Sequence, residues 1–578
     1  MNAIKKAEEW IQSHKKLLVC ICAVILAALP FLHVNSGVEY TDTGYSLGNY
    51  ENFAQAKGTW ALATFLANVT GWLFTKLPFG HTMFGMQVYC NALLSVILVV
   101  AFLKLKEYFP ARYVFIGELL AWGLSWCPRV ILYNYMTYLF FVLGSLVLIH
   151  AVKTQKKKFF FFAGLLLGIN VLVRFPNLTQ AALIVVVIYD AILRKKTFKS
   201  TMQCIGICVL GYVSALLAML GAIALFYGGS EYFAMIKSLF AMENTESSYS
   251  LVSMIKAPLE AYMDQIKWLW VFPVVIGLGM LIYRFCKKPV LKYMFSGVFL
   301  AGILALILYY YKIGIFWRDY NDYHCFKFWA VAFVLFALGM AVYVMCNKTA
   351  SQLEKCIACM VIVIVAITPL GSNNALYPVY NNLYIVAPFT FAMSVKYIGK
   401  KKAEFLWPAK IALTVMCIAL MVQSMLFGWT FTFRDEGFTT GIDTVITQNR
   451  VLKGMRTTSE RAALIEELSL YVYEKELCGR EVLLYGEIPF ASYALEMPSA
   501  LSSSWADLDT VLNRDGMKAE MEAMDAEPVV IIAADRYEDL LNNPDTDNEK
   551  ALLIAEYLQQ HDYREDFRND KFVVYLPQ

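Results

Sequence analysis

Long apolar runs alternate with short polar segments along most of the chain, and this alternation ends near residue 428. A helix needs about 20 mainly apolar residues to cross the hydrocarbon core of a membrane. The pattern therefore predicts about thirteen membrane spans. They lie at 17–34, 82–103, 112–128, 132–151, 159–174, 178–193, 202–227, 267–283, 293–311, 326–346, 356–370, 384–397 and 408–428.

The residues beyond 428 follow a different rhythm, in which amphipathic helical patterns alternate with short runs rich in Val, Ile and Leu. Such alternation is typical of a small α/β domain, here expected to have a mainly parallel sheet. The predicted helices lie at 459–477 and 549–560, and the predicted strands at 481–486, 528–533 and 572–576.

The predicted fold class is thus an α-helical polytopic membrane protein with a small C-terminal α/β domain. The membrane domain covers 1–428 and the α/β domain covers 429–578. Composition supports this division, because 59% of the 578 residues are hydrophobic, 17% are charged and the mean hydropathy is +0.52. Soluble domains are nearer to half apolar and a quarter charged. A wholly soluble protein is therefore excluded.

Charge is distributed unequally between the two parts. Residues 429–578 hold 14 Lys and Arg against 29 Asp and Glu, which leaves a net charge of +19 on the first 428 residues. Most of the Lys and Arg residues in this part fall in alternate loops, which the positive-inside rule places in the cytoplasm. Their positive charge is therefore not interpreted as a nucleic-acid-binding surface. The basic loops contain Lys104 and Lys106, 153–158, 194–196, 284–288, Lys348 and Lys355, and 400–402.

With thirteen spans, this topology predicts a cytoplasmic N-terminus and an extracytoplasmic C-terminal domain in a cell membrane, with a bacterial surface as the expected home. The outer loops then lie at about 35–81, 228–266, 312–325 and 371–383. These loops are the places to look for chemistry, because they are longer and richer in acids, aromatic residues and asparagine.

The first outer loop places two carboxylates, Glu39 and Asp42, soon after the first span. An enzyme that transfers a sugar from a phosphate leaving group needs one base to take the proton of the acceptor hydroxyl. We predict Asp42 as that catalytic base, with Glu39 as a second candidate or as a neighbour that shifts the pKa of Asp42. Tyr45 in the same loop is a candidate for sugar or acceptor binding. The alternative is that Asp42 only turns the loop, a common role for Asp beside Gly.

A donor phosphate at the membrane edge would need cations, and the planar fork of arginine suits phosphate oxygens. The candidates are Arg174, Arg129, Arg318 and Lys312. Arg174 is favoured because it interrupts two apolar spans, and ionisable residues at membrane depth are often functional. Snorkelling to lipid headgroups is the alternative explanation.

Two further loops hold polar candidates. Asp319, Asp322 and His324 have the donor atoms for a divalent metal ion, although their spacing matches no fixed motif, and an ordinary polar loop is the other interpretation. Asn373, Asn374 and Asn381 carry amides that suit sugar hydroxyls, but Asn and Gly are also common in turns.

This layout resembles the GT-C superfamily of integral-membrane glycosyltransferases, which includes protein mannosyltransferases and aminoarabinose transferases. The resemblance is carried by the early acid Asp42, the span number, Arg174 near an outer turn, the segment 371–374 and the outside α/β domain. It implies an inverting transfer from a polyprenyl-phosphate sugar to a lipid, glycan or protein acceptor among membrane lipids. Family members often show two adjacent acids, whereas Glu39 and Asp42 are three residues apart.

Other functions share parts of this pattern. A transporter or flippase of lipid-linked saccharides would place ionisable groups along a path through the membrane and often shows repeated halves, which are not seen here. A polymerase or ligase of surface polysaccharides uses similar donors, and only the tail and the first-loop acid argue against it. A receptor that displays the tail would need one span. The sugar and the acceptor are not identified by the sequence.

Overall fold

The computed structural model describes residues 13–53, 63–230, 233–234, 237, 251–316, 319–320, 322–372, 374–399, 403–433, 441–508, 512–524, 526–536 and 548–578. Up to residue 433 this part of the chain is helical. The helices are α1 (Lys15–Ala28), α2 (Asp42–Glu51), α3 (Phe65–Thr75), α4 (Met83–Leu105), α5 (Ala111–Gly123), α6 (Leu132–Thr154), α7 (Lys157–Val173), α8 (Ile184–Leu193), α9 (Phe198–Tyr227), α10 (Leu251–Leu269), α11 (Val271–Phe285), α12 (Pro289–Lys312), α13 (Lys327–Cys346), α14 (Gln352–Ile367), α15 (Tyr377–Tyr380), α16 (Val386–Ser394) and α17 (Trp407–Thr430).

Short 3₁₀ or π segments continue several of these helices. A 3₁₀ segment at Phe175–Leu183 leads into α8, one at Tyr323–Phe326 leads into α13, and one at Glu404–Leu406 leads into α17. A further 3₁₀ turn, Leu29–Phe31, follows α1, and a π segment, Val395–Gly399, follows α16.

Eight helical segments within the described residues are long and apolar enough to cross a membrane, which makes this a multi-pass membrane protein. The other five predicted spans coincide with the shorter helices α1, α5, α7, α14 and α16. Helices therefore form at every predicted run, and the helical membrane fold is confirmed. The number that crosses the bilayer stays a prediction.

The segment 228–266, expected as an outer loop, contains α10 in its described part. Only Trp270 separates α10 from α11, so that Val252–Phe285 together is long enough to span a membrane. The sequence expectation missed α10 because Lys256, Glu260 and Asp264 reduce its mean hydropathy. These charged side chains are exposed and form ion pairs along the helix.

The C-terminal domain contains the expected α/β arrangement. Its elements are β1 (Thr444–Val445), β2 (Arg456–Thr457), α18 (Ser459–Glu474), β3 (Val482–Tyr485), α19 (Phe490–Ala494), α20 (Arg514–Glu522), β4 (Val529–Ala533), α21 (Glu549–Gln560), β5 (Tyr563–Arg568) and β6 (Phe572–Pro577).

The main sheet has the strand order β3-β4-β6-β5, and it is mixed rather than mainly parallel. Val482 pairs with Val529 in the parallel β3–β4 ladder, whereas β6 runs antiparallel to both of its neighbours. The expectation of a mainly parallel sheet was wrong because β5 was not foreseen. The sequence of β5, Tyr-Arg-Glu-Asp-Phe-Arg, carries the charges of an edge strand, and its hairpin with β6 reverses the direction of β6.

The C-terminal domain is docked directly on the first loop. The backbone of Gly37 donates to the carbonyl of Arg456 at 2.9 Å, and the N–H of Phe490 donates to the carbonyl of Tyr40 at 3.0 Å. Gly44 on α2 lies so close to α19 that a Cβ atom there would be 2.3 Å from Cα of Phe490. Buried apolar residues of the first loop and of the C-terminal domain form one shared core. Backbone hydrogen bonds and apolar contacts with the C-terminal domain therefore hold the first loop in place.

Candidate functional site

The candidate site is built around the start of α2, where Glu39 is fully buried. Its Oε1 accepts hydrogen bonds from the backbone N–H groups of Thr41 at 3.1 Å and Asp42 at 2.8 Å, and its Oε2 accepts one from Thr43 N–H. These N–H groups have no partner inside the helix, so a carboxylate placed there accepts their hydrogen bonds. Its negative charge also interacts favourably with the positive end of the helix dipole. Glu39 thereby fixes the position of Asp42.

Asp42 is the first residue of α2 and stays half-buried. Burial raises the pKa of its carboxyl to about 6. A carboxylate with a raised pKa holds a proton more strongly than an ordinary aspartate and is still mainly ionised at neutral pH. Asp42 therefore has the acid–base properties expected of a general base.

Arg174 directly follows α7, where the helix ends before Pro176. Its guanidinium lies 5.5 Å from the ring centroid of Tyr133 and donates one hydrogen bond to the carbonyl of Gly371 at 3.2 Å. Gly371 has a φ of +86°, a conformation that favours glycine, and a Cβ atom there would be 2.3 Å from Pro176. The turn at 371–374 thus orients Arg174.

Arg129 lies in the turn between α5 and α6, where its Nη1 donates to the hydroxyl of Tyr135 at 3.3 Å. It faces a narrow cleft that Thr43, Gln87, Cys127 and other residues line. Neither Arg129 nor Arg174 forms an ion pair with a carboxylate in the described part of the chain. Half-buried cations without a counter-ion have the chemistry of an anion-binding site.

Thr43, the residue after Asp42, lines the same cleft as Cys127 and Arg129. The guanidinium of Arg174 packs against the ring of Tyr133 in the first turn of α6, shortly after Arg129. The structure thus brings the segments that carry Asp42, Arg129 and Arg174 into one region of the fold, although these segments are far apart in the sequence.

Structures of two proteins are among the solved structures that are similar to this chain. The oligosaccharyltransferase of Archaeoglobus fulgidus in complex with zinc and sulfate is 11% identical, with a TM-score of 0.44 over 90% of this chain and 68% of that chain. Its apo form is 10% identical, with a TM-score of 0.43 over 93% and 71%. ArnT from Cupriavidus metallidurans in the apo state is 11% identical, with a TM-score of 0.39 over 99% and 98%.

No family model matches the chain, and no curated protein matches it in sequence. At these identities and TM-scores the solved structures record a resemblance, and the proposed function rests on the residues of this chain.

The predicted sugar-binding residues have different surroundings. The ring of Tyr45 contacts the ring of Trp505 of the C-terminal domain, with the two centroids 5.8 Å apart. Asn381 is fully buried: its Oδ1 accepts from Trp126 N–H and its Nδ2 donates to Cys127 Sγ, both at 3.0 Å. Asn381 therefore holds the wall of the site. Asn374 is exposed in the turn that carries Gly371.

Other candidates lie farther out. Lys312 is exposed at the end of α12, and Arg318 and Asn373 lie outside the described residues. The roles assigned to these residues stay predictions.

The proposed metal ligands do not come together as a group of three. Asp322 is buried, and its Oδ1 lies 2.7 Å from His324 Nδ1 and accepts from His324 N–H at 2.8 Å. No cluster of three His, Cys, Asp or Glu side chains that could hold a metal ion is found among the described residues, and Asp319 thus completes no such set. The 319–326 loop instead contributes the ring of Tyr323, stacked 5.0 Å from Trp126 beside the site. The geometry supports the ordinary polar loop.

Sequence reasoning missed a second cleft, which Arg174 shares with several neutral polar side chains. These amide and hydroxyl side chains come from four segments: α6, the 3₁₀ segment after α7, the end of α14 and the turn after α15. A weak signal existed, because Asn170 and Gln180 interrupt apolar runs and Asn177 follows Arg174 closely. The polar lining residues are Asn134, Thr137, Asn177, Thr179, Gln180, Thr368 and Asn382.

Proposed function

We propose that this protein is a glycosyltransferase that moves a sugar from a polyprenyl-phosphate donor to an acceptor on the outer face of the membrane. The observations that support this proposal are the raised pKa of Asp42, about 6, and the cleft that its neighbour Thr43 shares with Arg129, one of two half-buried arginines that have no carboxylate partner among the described residues. A base beside an anion-binding site is what transfer from a phosphate leaving group requires.

In the proposed reaction, Asp42 takes the proton from the acceptor hydroxyl while that oxygen attacks the anomeric carbon of the sugar. The bond between the anomeric carbon and the phosphate oxygen breaks, and its electron pair leaves with the phosphate. Arg174 binds the phosphate and stabilises its growing negative charge, with Arg129 as a second candidate. One displacement inverts the anomeric configuration. Glu39 acts as a positioning residue for Asp42.

The test is a rescue experiment in a strain that lacks the gene. Wild type, Asp42→Asn and Glu51→Gln are expressed at equal membrane levels, and surface glycans and polyprenyl-linked sugars are measured by mass spectrometry. Glu51 is the matched control because it is an acid at the other end of α2. We expect only Asp42→Asn to lose one surface sugar and to accumulate its polyprenyl-phosphate donor. Full rescue by Asp42→Asn would contradict the proposed role of Asp42.

A transporter or flippase remains the second candidate function, because it would bind the same lipid-linked saccharide. The two are separated by assaying purified protein in detergent micelles, where there are no compartments for transport. Sugar transfer to an envelope extract in micelles supports the transferase. Lipid-linked sugar movement in sealed vesicles without any transfer in micelles would favour the transporter.

A further inference from the structure

The polar lining of the cleft beside Arg174 consists of neutral amides and hydroxyls, and Arg174 is the one charged residue, with no carboxylate, among the described residues that line it. Five of these or adjacent polar side chains are buried: Thr137, Asn170, Asn177, Gln180 and Asn382. Polar groups are costly to bury unless they are hydrogen-bonded, so such a cluster at membrane depth needs an explanation.

These side chains hold one another in fixed orientations. Asn170 Nδ2 donates to the Thr137 carbonyl at 2.9 Å and to Gln180 Oε1 at 2.8 Å. Asn177 Nδ2 donates to Thr137 Oγ1 at 2.7 Å and to the Asn170 carbonyl at 2.8 Å. The network thus uses both N–H groups of Asn170 and both of Asn177. Its geometry is determined before any ligand arrives.

Two polar atoms of these side chains make no hydrogen bond within the network. Asn177 Oδ1 and Gln180 Nε2 have no hydrogen-bond partner among the described residues, and neither is fully enclosed by protein. On the facing wall of the cleft, Asn382 Nδ2 donates a hydrogen bond to Thr368 Oγ1, and this bond is long, at 3.5 Å. Fixed, neutral donors and acceptors of this kind match the hydroxyl groups of a sugar.

We infer that the Arg174 cleft selects an uncharged sugar on its phosphate carrier, with Arg174 on the phosphate and Asn177, Gln180 and Asn382 on the sugar hydroxyls. The inference rests on the proposed function and adds the class of donor. A sugar that carries an ammonium group would meet Arg174 and no carboxylate, so its charge would be desolvated without compensation. The cleft therefore discriminates against amino sugars.

The experiment measures binding, which needs no knowledge of the acceptor. Purified full-length protein is titrated with two short synthetic polyprenyl phosphates, and the complexes are measured by native mass spectrometry. One probe carries a neutral hexose, and the other carries the same hexose with one hydroxyl replaced by a primary amine. We expect the wild type to bind the neutral probe about tenfold more tightly or better.

Gln180→Glu keeps the oxygen that accepts from Asn170 and replaces the free amide nitrogen by a second oxygen. We expect this variant to shift the affinity ratio by about tenfold or more toward the amino probe. Gln423→Glu is the matched control, since Gln423 is a buried amide on α17 that is not among the lining residues of either cleft. It should leave the ratio of the two affinities unchanged. If Gln180→Glu does not fold, Asn382→Asp tests the facing wall in the same way.

The outcomes distinguish the two levels of the proposal. Equal binding of both probes by the wild type, or the same change of ratio in Gln180→Glu and Gln423→Glu, would overturn the inference and leave the proposed function standing. Failure of the wild type to bind either probe would overturn the polyprenyl-phosphate donor itself, and the inference with it.

Discussion

Two groups of half-buried cations lie at opposite ends of α6, and they differ in how their charge is compensated. Near the start of the helix, Arg129 and Arg174 bond only to a tyrosine hydroxyl and a backbone carbonyl within the described structure. Just beyond its end, fully buried Asp190 accepts from Arg194 Nε at 2.7 Å and Lys196 Nζ at 2.9 Å. A 23-residue helix is about 35 Å long, so the two groups are well separated.

Charge compensation distinguishes cations that stabilise the fold from cations that are available to bind a ligand. Asp190 also accepts from Gln155 Nε2 at 3.1 Å, and this links the end of α6 to α8. Its charges are satisfied by protein, so the group stabilises the fold and has no capacity left for a ligand. The arginines at the other end keep hydrogen-bonding capacity for an anion. The same residue type thus serves two roles, which four changes can test.

The largest effect is expected for Asp42→Asn. Removal of the general base should lower kcat by about 10²- to 10⁴-fold, because general-base catalysis contributes that much to a transfer reaction. The thermal unfolding temperature should not fall, since Asp42 makes no ion pair with the residues that the structure describes. Steady-state kinetics and thermal unfolding of the purified protein check both statements. A kcat within twofold of wild type would leave Asp42 as a loop residue.

Asp190→Asn should act on stability instead. Removing the shared anion leaves two partly buried cations without a partner, which costs about 3–5 kcal/mol. The control is Glu107→Gln, which breaks the exposed pair of Glu107 with Lys104 and should cost less than about 1 kcal/mol. Thermal unfolding in detergent and membrane levels compare the two. Equal stability of the two variants would refute the structural role of the Asp190 group.

Arg174→Gln should have the opposite profile to Asp190→Asn. We expect the affinity for a polyprenyl-phosphate probe to fall by about tenfold or more, with no loss of thermal stability, because the charge is held for a ligand. Arg174→Lys should restore affinity only in part, since lysine lacks the planar fork. A loss of stability without a loss of affinity would show that Arg174 stabilises the fold, as the Asp190 group does.

The smallest expected effect is the dependence of the reaction rate on pH. Because burial raises the pKa of Asp42 to about 6, the ionised base is lost as the pH falls through this value. The rate should therefore fall about tenfold per pH unit below about pH 6, whereas an aspartate at its usual pKa would sustain the rate to near pH 4. A pH–rate profile of kcat/KM measures this, and a flat profile between pH 7 and 5 would contradict it.

Local patterns in the sequence predicted most of the secondary structure. Each apolar run became a helix because a segment of about 20 apolar residues satisfies its backbone hydrogen bonds within itself. Strands β3, β4 and β6 were recognised by their apolar residues. The edge strand β5 and helix α10 were not recognised, since exposed charged side chains hide their periodicity.

The sequence by itself determined the helical membrane class, the acidic α/β tail and the short list that contains Asp42, Glu39, Arg129 and Arg174, because hydropathy and charge are properties of single segments. The structure added one local contact, in which Glu39 holds the start of α2. Only the tertiary structure decided that the segments carrying Asp42, Arg129 and Arg174 lie in one region of the fold, and that amides and hydroxyls line the Arg174 cleft. These last relations join segments that are far apart in the sequence. They depend on how helices pack, and no local pattern records that packing.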